Sequence, residues 1–300
     1  MSSEIQTGAE LAVPTTAKQR SPAYFAWRRF LANKAAVVGG IILLIITLAA
    51  ILAPLFTKTG PEAQAFLTQS LAFPSAEFWF GVDDLGRDFF TRIVYGARVS
   101  LTIGFAAAAF SVVIGIPLGA LAGYFGGKTD WVIMRIIELF SVVPSLLAAM
   151  LLGALTGGGF MTIITIAALF GWVQVCLLVR AQVKSFREKE FVRAAQALGA
   201  SPWYIIRRHL IPNSISPIIV GFVLAIPLAM MLEASLSFLG IGVPPPTPSW
   251  GQMINVGMNF VFFYWHMAVF PTAALAITVL ATTLFGDGLR DALDPTLKGR

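Results

Sequence analysis

Residues 185–214, SFREKEFVRAAQALGASPWYIIRRHLIPNS, decide what kind of molecule this is. The stretch is dense in charge within a chain that is otherwise mostly apolar. So many charges are costly in lipid, so the segment must meet an aqueous phase or a soluble partner. Ser185 with Glu188 three residues on forms a capping-box pattern, which predicts a helix starting near Phe186. Phe191, Ala194, Ala195 and Leu198 then fall at i, i+3, i+4 and i+7, one face of that helix. Arg187, Lys189 and Arg193 lie largely off the stripe. Gly199 is placed to end the helix, because glycine takes a left-handed conformation without a Cβ clash. Ser201-Pro202 opens a second helix, with serine as N-cap and proline at the first helical position. Trp203, Ile206 and Leu210 are expected on its apolar side, and Pro212 is expected to stop it. The pattern is a helix-turn-helix exposed to water.

The rest of the chain is built for a bilayer. Its 300 residues are 57% hydrophobic and only 12% charged, against about a quarter charged in a typical soluble domain. Mean hydropathy is +0.80. A spanning helix needs about 20 apolar residues. Six candidate spans can be drawn, at 35–56, 99–123, 131–155, 160–180, 214–240 and 265–286, so the expected fold is an all-α polytopic membrane protein. With the N-terminus inside, the inner segments hold sixteen Lys and Arg and the outer segments four, with Arg135 inside a span. The positive-inside rule therefore puts both termini and the 185–212 loop in the cytoplasm. The net charge of +6 then reflects topology and needs no nucleic-acid partner. The first apolar run lies behind a 34-residue polar region and is long for a signal peptide, so it is expected to stay as an anchor. Cys176 is the one cysteine, so no intrachain disulfide can form.

Five regions follow from these boundaries. Residues 1–34 are a cytoplasmic tail, disordered over 1–20 and ending in an interfacial aromatic and basic segment, YFAWRRFLANK. Residues 35–56 are the first span and 57–98 an outer loop. Residues 99–286 form a transmembrane core that contains the 185–212 loop, and 287–300 are a cytoplasmic tail. In the outer loop, Asp83, Asp84, Arg87, Asp88 and Arg92 are spaced for local ion pairs, Gly81 and Gly86 for tight turns. The central spans are rich in Gly and Ala, which lets helices pack closely in lipid. Pro117, Pro144, Pro217 and Pro227 lie in or near spans and permit kinks. The prolines at 244–246 and 248 predict an extended, stiff outer connection. Glu233 falls inside the fifth span, where a carboxylate costs roughly 2.5–3.5 kcal/mol on insertion scales. It either lines a translocation path, touching a charged group of whatever passes, or ties helices together near the outer edge. Arg135 and Glu138 can pair on one helix face.

Catalytic chemistry is not visible. AGYFGGKT (122–129) satisfies a loose phosphate-loop pattern, but a membrane span precedes it where a buried strand is required. HExxH, CxxC and GxSxG are all absent. His209 and His266 fall on opposite sides of the membrane in this topology, so they cannot share a metal within one chain.

The loop resembles the EAA loop of ATP-binding-cassette importer permeases, whose pattern is Glu-Ala-Ala, three residues, Gly, then a hydrophobic-x-Leu-Pro ending. Ala194, Ala195, Gly199 and Pro212 match. Arg193 stands at the glutamate's position, with Glu190 one turn earlier; His209 and Ile211 replace isoleucine and leucine. RRHLIPN, FGVDDLGRDFFTRIVYGARVSL, SFLGIGVPPPTPSWG and GDGLRDALDP look like strings of the peptide and nickel branch, so the resemblance covers about 79–297. It implies a type I importer permease of the dipeptide and oligopeptide C type, moving substrate by alternating access. The ATPase-coupling loop would carry Glu190, Arg193, Ala194, Ala195, Gly199, Ser201, Pro202, His209 and Pro212. The implied partners are a second homologous permease forming a heterodimer, one or two cytoplasmic ATPases, and an external substrate-binding protein. ATP and magnesium would be bound by the ATPases, leaving this chain without cofactor, metal or catalytic residue, in the inner membrane. Nickel, glutathione or another small solute is carried by close relatives in this class. An ion-coupled secondary transporter is the alternative of a different class, with Glu233 and Glu138 its available span carboxylates.

Overall fold

The structure is a computed structural model that describes residues 22–293. The expected disorder of residues 1–20, and Lys18, Arg20, Lys298 and Arg300 of the charge count, lie outside the described residues. Helix α1 (Pro22–Ala32) carries the aromatic and basic segment. Asn33 separates it from α2 (Lys34–Phe56) and caps α2 by accepting from the Ala36 amide at 3.2 Å. The long α3 (Phe89–Phe125), α6 (Phe160–Arg187), α10 (Ile215–Phe238) and α12 (His266–Leu293) complete five uninterrupted helices long and apolar enough to cross a membrane. A sixth candidate is a bent pair: α4 (Gly127–Val142) and α5 (Ser145–Thr156) are long and apolar enough together but meet at an 81° bend. The single span expected over 131–155 is thus two helices. Pro144, which lacks an N–H and cannot continue a helical ladder, sits at the break. Among the described residues the only strand-like pairing is an isolated bridge between Val82 and Asp88.

Helix α3 starts ten residues before the expected span, inside what hydropathy assigned to the outer loop. Asp88 makes this possible by accepting from the Thr91 amide at 2.8 Å as N-cap. Two arginines that argued for a loop have local partners. Arg98 donates to the carbonyl of Ala50 and, at 2.8 Å, to that of Ile51. Pro54 has no N–H to offer the Ala50 carbonyl four residues back, so Arg98 supplies the missing donor. Arg92 is fully buried and donates to the Pro61 carbonyl at 3.0 Å and the Pro246 carbonyl at 3.4 Å. The expected ion pairs form beside it: Asp83 Oδ2 lies 2.6 Å from Arg87 Nε and 3.4 Å from Arg92 Nε. Asp88 is a cap and not an ion-pair member. The connection through Pro244–Pro248 turns at Pro245-Pro246, which has a cis peptide bond, and does not run straight. It leads into α11 (Trp250–Met258), whose Trp250 donates to the Ile93 carbonyl at 3.0 Å.

Asp84 stands at the rim of this cluster. Burial, and then the charge of Asp83, push its carboxyl above the ordinary aspartate value, while Arg87 at 3.9 Å works against them. An acid whose folded pKa is raised costs stability above that pKa, and the cost vanishes below the unfolded value near 3.9. Asp84→Asn is therefore expected to be at least as stable as the parent at pH 7, with the difference closing as pH falls. Unfolding midpoints measured against pH check this; a variant less stable at pH 7 contradicts it.

Close approach in the core comes from small residues. Gly115, Gly119 and Gly123 form a one-per-turn stripe on α3 that lies directly on α6. A Cβ at these positions would sit 2.7 Å from Val175 Cβ, 2.5 Å from the Cys176 carbonyl and 2.7 Å from the Arg180 carbonyl. This parallel pair is the most extensive helix contact among the described residues. Without a hydrophobic drive between helices in lipid, such backbone proximity is what holds them. AGYFGGKT spans the end of α3 and the start of α4, with helix where a phosphate loop needs strand.

Candidate functional site

The signature segment folds as a helix-turn-helix at one end of the bundle, but its boundaries differ from those expected. Ser185 lies inside α6, which continues to Arg187 because Val179, Val183 and Phe186 pack into the core. That burial outweighs the capping-box signal of Ser185 and Glu188. The turn falls instead at Glu188–Lys189, and α7 (Glu190–Ala197) begins with Glu190, whose charge suits a helix N-terminus. Arg193 pairs with Glu188 at 3.2 Å, with both side chains 68% exposed, so the pair adds little stability.

Gly199 ends α7 as expected. Its φ is +80°, its amide bonds the Gln196 carbonyl at 2.9 Å, and the Ala200 amide bonds the Ala195 carbonyl at 3.0 Å. Those two bonds are a Schellman motif. Ser201 then accepts from the Tyr204 amide at 3.3 Å and caps α8 (Pro202–Ile205), with Pro202 in its first turn. Pro212 does not stop the chain. Residues 206–210 form a π-turn in which the Ile211 amide reaches back to the Ile206 carbonyl, leading into α9 (Ile211–Asn213) and α10. Pro212 removes a donor, the ladder shifts by one residue, and side chains fill in. Asn213 donates to the His209 carbonyl at 2.5 Å and the Ser214 hydroxyl to that of Leu210 at 2.9 Å.

The segment has two faces. Val192, Ile205, Ile206 and Leu210 are buried against α3 and α6 beside Tyr124, Val179 and Val183. The outward face shows Phe191, Leu198 at 88% exposure, Trp203 and Tyr204, with Ala194 between them. Of the predicted stripe, Phe191, Ala194 and Leu198 point away from the bundle while Ala195 packs against it, and Trp203 is exposed while Ile205 takes the inward place. His209, half-buried, stands near both Phe191 and Tyr204, with ring centroids 6.3 and 5.7 Å away. Ala195 is half-buried, and Glu190, Arg193, Gly199, Ser201 and Pro202 are exposed. Arg180 holds Asp130 of α4 through two bonds of 2.5 and 2.6 Å, fastening the shorter loop to the same end.

A cavity of about 980 Å³ opens between α3, the α4/α5 break, α6 and α10. Ser111, Ser141, Pro144, Gln174, Gly221 and Leu228 are among its lining residues. Non-helical backbone at membrane depth is tolerated where it lines protein or a water-filled space, and the break at Pro144 does so. Glu233 is not part of this lining. It is fully buried, accepting from Ser100 of α3 at 3.1 Å and from Ser237 at 2.7 Å, with Ser249 at the start of α11 a further 3.4 Å from Ser237. That geometry fits the helix-tying reading of Glu233. Glu233→Gln is expected to keep normal membrane levels and normal uptake, since a carboxamide can bond the same hydroxyls. Lost uptake at normal levels would return Glu233 to the path. Arg135 and Glu138 pair at 2.5 Å on an exposed face, as their spacing predicted.

Residues 115–299 match the family described as the binding-protein-dependent transport system inner membrane component, and 21–74 match the N-terminal transmembrane domain of oligopeptide transport permease C. The chain belongs to this permease family. The permease is 42% identical to the oligopeptide transport system permease protein OppC of Bacillus subtilis, over 90% of this chain and 88% of that one. It is 43% identical to the dipeptide transport system permease protein DppC of the same organism, over 91% and 85%. It is 39% identical to the glutathione transport system permease protein GsiD of Pectobacterium atrosepticum, over 93% of each. Its fold is similar to that of a chain in the inward-facing MetNI methionine ABC transporter, at TM-score 0.56 and 18% identity, over 68% of this chain and 97% of that one. The permease is thus a membrane-spanning transport subunit of the ABC importer type, and the ion-coupled alternative is not favoured.

Proposed function

We propose that this permease carries dipeptides or oligopeptides inward, driven by separate ATPase subunits that dock on residues 188–210. The observation that carries this reading is an arm with an apolar outward face and an inward face locked into α3 and α6. Exposed aromatic and aliphatic side chains over a small-residue surface suit a groove on a soluble protein. Because Val192, Ile205, Ile206 and Leu210 key the arm to α6, displacement of the arm moves the helix that lines the cavity. Alternating access follows when two such halves rock together and apart.

In this reading the arm and both termini face the cytoplasm, which agrees with the excess of Lys and Arg on that side. The ATPases hold ATP and magnesium, a second homologous permease completes the path, and an external receptor delivers the peptide. Relatives named for oligopeptide and dipeptide transport favour peptide cargo over nickel. Reconstitution of the full assembly in proteoliposomes tests it. Peptide uptake should require ATP, the ATPases and the receptor, and should survive ionophores. Uptake by the purified permease alone, or uptake abolished by ionophores, overturns it.

A further inference from the structure

Gln174 lies midway along α6, is exposed, and its side chain has no hydrogen-bond partner among the described residues. This sets it apart from several hydroxyls of the spans, which bond the carbonyl four residues back. Ser111 bonds Ala107, Ser141 bonds Ile137, Thr165 bonds Met161 and Ser235 bonds Met231. A free carboxamide cannot rest in hydrocarbon without water or a polar partner. Gln174 also lines the 980 Å³ cavity, together with Ser111, Ser141 and the exposed break at Pro144. Among the described residues no charged side chain lines that cavity.

We infer that Gln174 is the side chain of this subunit that meets the main chain of a passing peptide. A carboxamide offers one acceptor oxygen and an NH2 donor, matching the C=O and N–H of a peptide unit. The match ignores the peptide's side chains. A wall with hydroxyls, one carboxamide and no charge gives a peptide polar contact without selecting for its charge, which leaves selection to the receptor. The inference rests on the proposal that the cargo is a peptide.

The test uses the reconstituted assembly and three tripeptides of one length, cationic, neutral and anionic. Wild type is expected to carry all three; failure to carry any of them counts against the peptide proposal and not against Gln174. Gln174→Lys is expected to slow the cationic peptide relative to the anionic one by roughly threefold to tenfold, and Gln174→Glu to reverse that order. Receptor affinities measured separately should be unchanged. Equal rates across the three peptides in both variants overturn the inference. Where a variant assembles poorly, Gln174→Cys decides. In the assembled complex it should react with a charged thiol reagent and be protected during transport, against the low background of fully buried Cys176. An unreactive Cys at 174 means that protein covers the position, and the inference falls.

Discussion

Gly199→Val is expected to leave the permease in the membrane and to abolish both ATPase binding and uptake. The cause is backbone geometry alone. A Cβ at Gly199 would meet nothing within 4 Å, so crowding is not the issue. Its φ of +80° is the difficulty, because a β-branched residue there is a genuine outlier costing about 1–3 kcal/mol. The chain escapes by breaking the two Schellman bonds to Gln196 and Ala195, and each loss costs a further ~1 kcal/mol. An eight-residue helix such as α7 has little propensity to spare. Its outward residues Phe191, Ala194 and Leu198 would then lose their fixed relation to Trp203 and Tyr204. Gly199→Asn should retain most uptake, since asparagine tolerates the left-handed region, and Gly199→Ala should fall between. Co-purification of the ATPase with each variant gives the readout. A valine variant that binds and transports normally would mean that the turn does not set the docking face.

Asp83→Ala is expected to destabilise the fold more than any other single change at the opposite end of the bundle. Asp83 is the shared counter-ion of Arg87 and Arg92, and all three are buried. Its Oδ1 also accepts from the amides of Leu85 at 3.0 Å and Arg87 at 2.9 Å. Removing it leaves two guanidinium groups in a poorly hydrated site, and breaking one side of a buried pair costs about 3–5 kcal/mol. Arg92 in turn reaches Pro61 and Pro246, so the loops that frame the start of α3 loosen together. The expected readout is a lower unfolding midpoint and a smaller mature fraction in membranes. Asp84→Ala should do far less, because Asp84 lies 3.9 Å from its nearest cation. Equal effects of the two changes would contradict the assignment of Asp83 as the centre of the cluster.

Much of this was legible in the residues because the signals were local or long. The candidate crossings emerge from hydropathy, since runs of about 20 apolar residues have few alternatives. Gly199 and Ser201 were readable because left-handed φ and N-capping tie a residue type to one geometry. The Asp83, Arg87 and Arg92 spacing gave the ion pairs for the same reason. What escaped needed tertiary information. Ser185 and Glu188 carry a proper helix start, yet the buried face of Val179, Val183 and Phe186 kept α6 going. Pro212 reads as a stop, but the backbone passes it through a π-turn at 206–210, with the Asn213 and Ser214 side chains bonding the His209 and Leu210 carbonyls. The stripe of Phe191 and Leu198 was seen without its direction, because the inward side of α7 is only Val192 with Ala195 beside it. Gln174 was passed over since one carboxamide barely alters an apolar average. Only the cavity beside it makes it conspicuous.

The central claim is that the outward face of residues 190–204 is covered by a separate ATPase. A photoreactive amino acid at position 198, where Leu198 is 88% exposed, tests this in intact cells. Illumination should join the permease to an ATP-binding subunit, and Gly199→Val in the same chain should remove the product. Cross-links to the external receptor, or to lipid alone, would contradict the account.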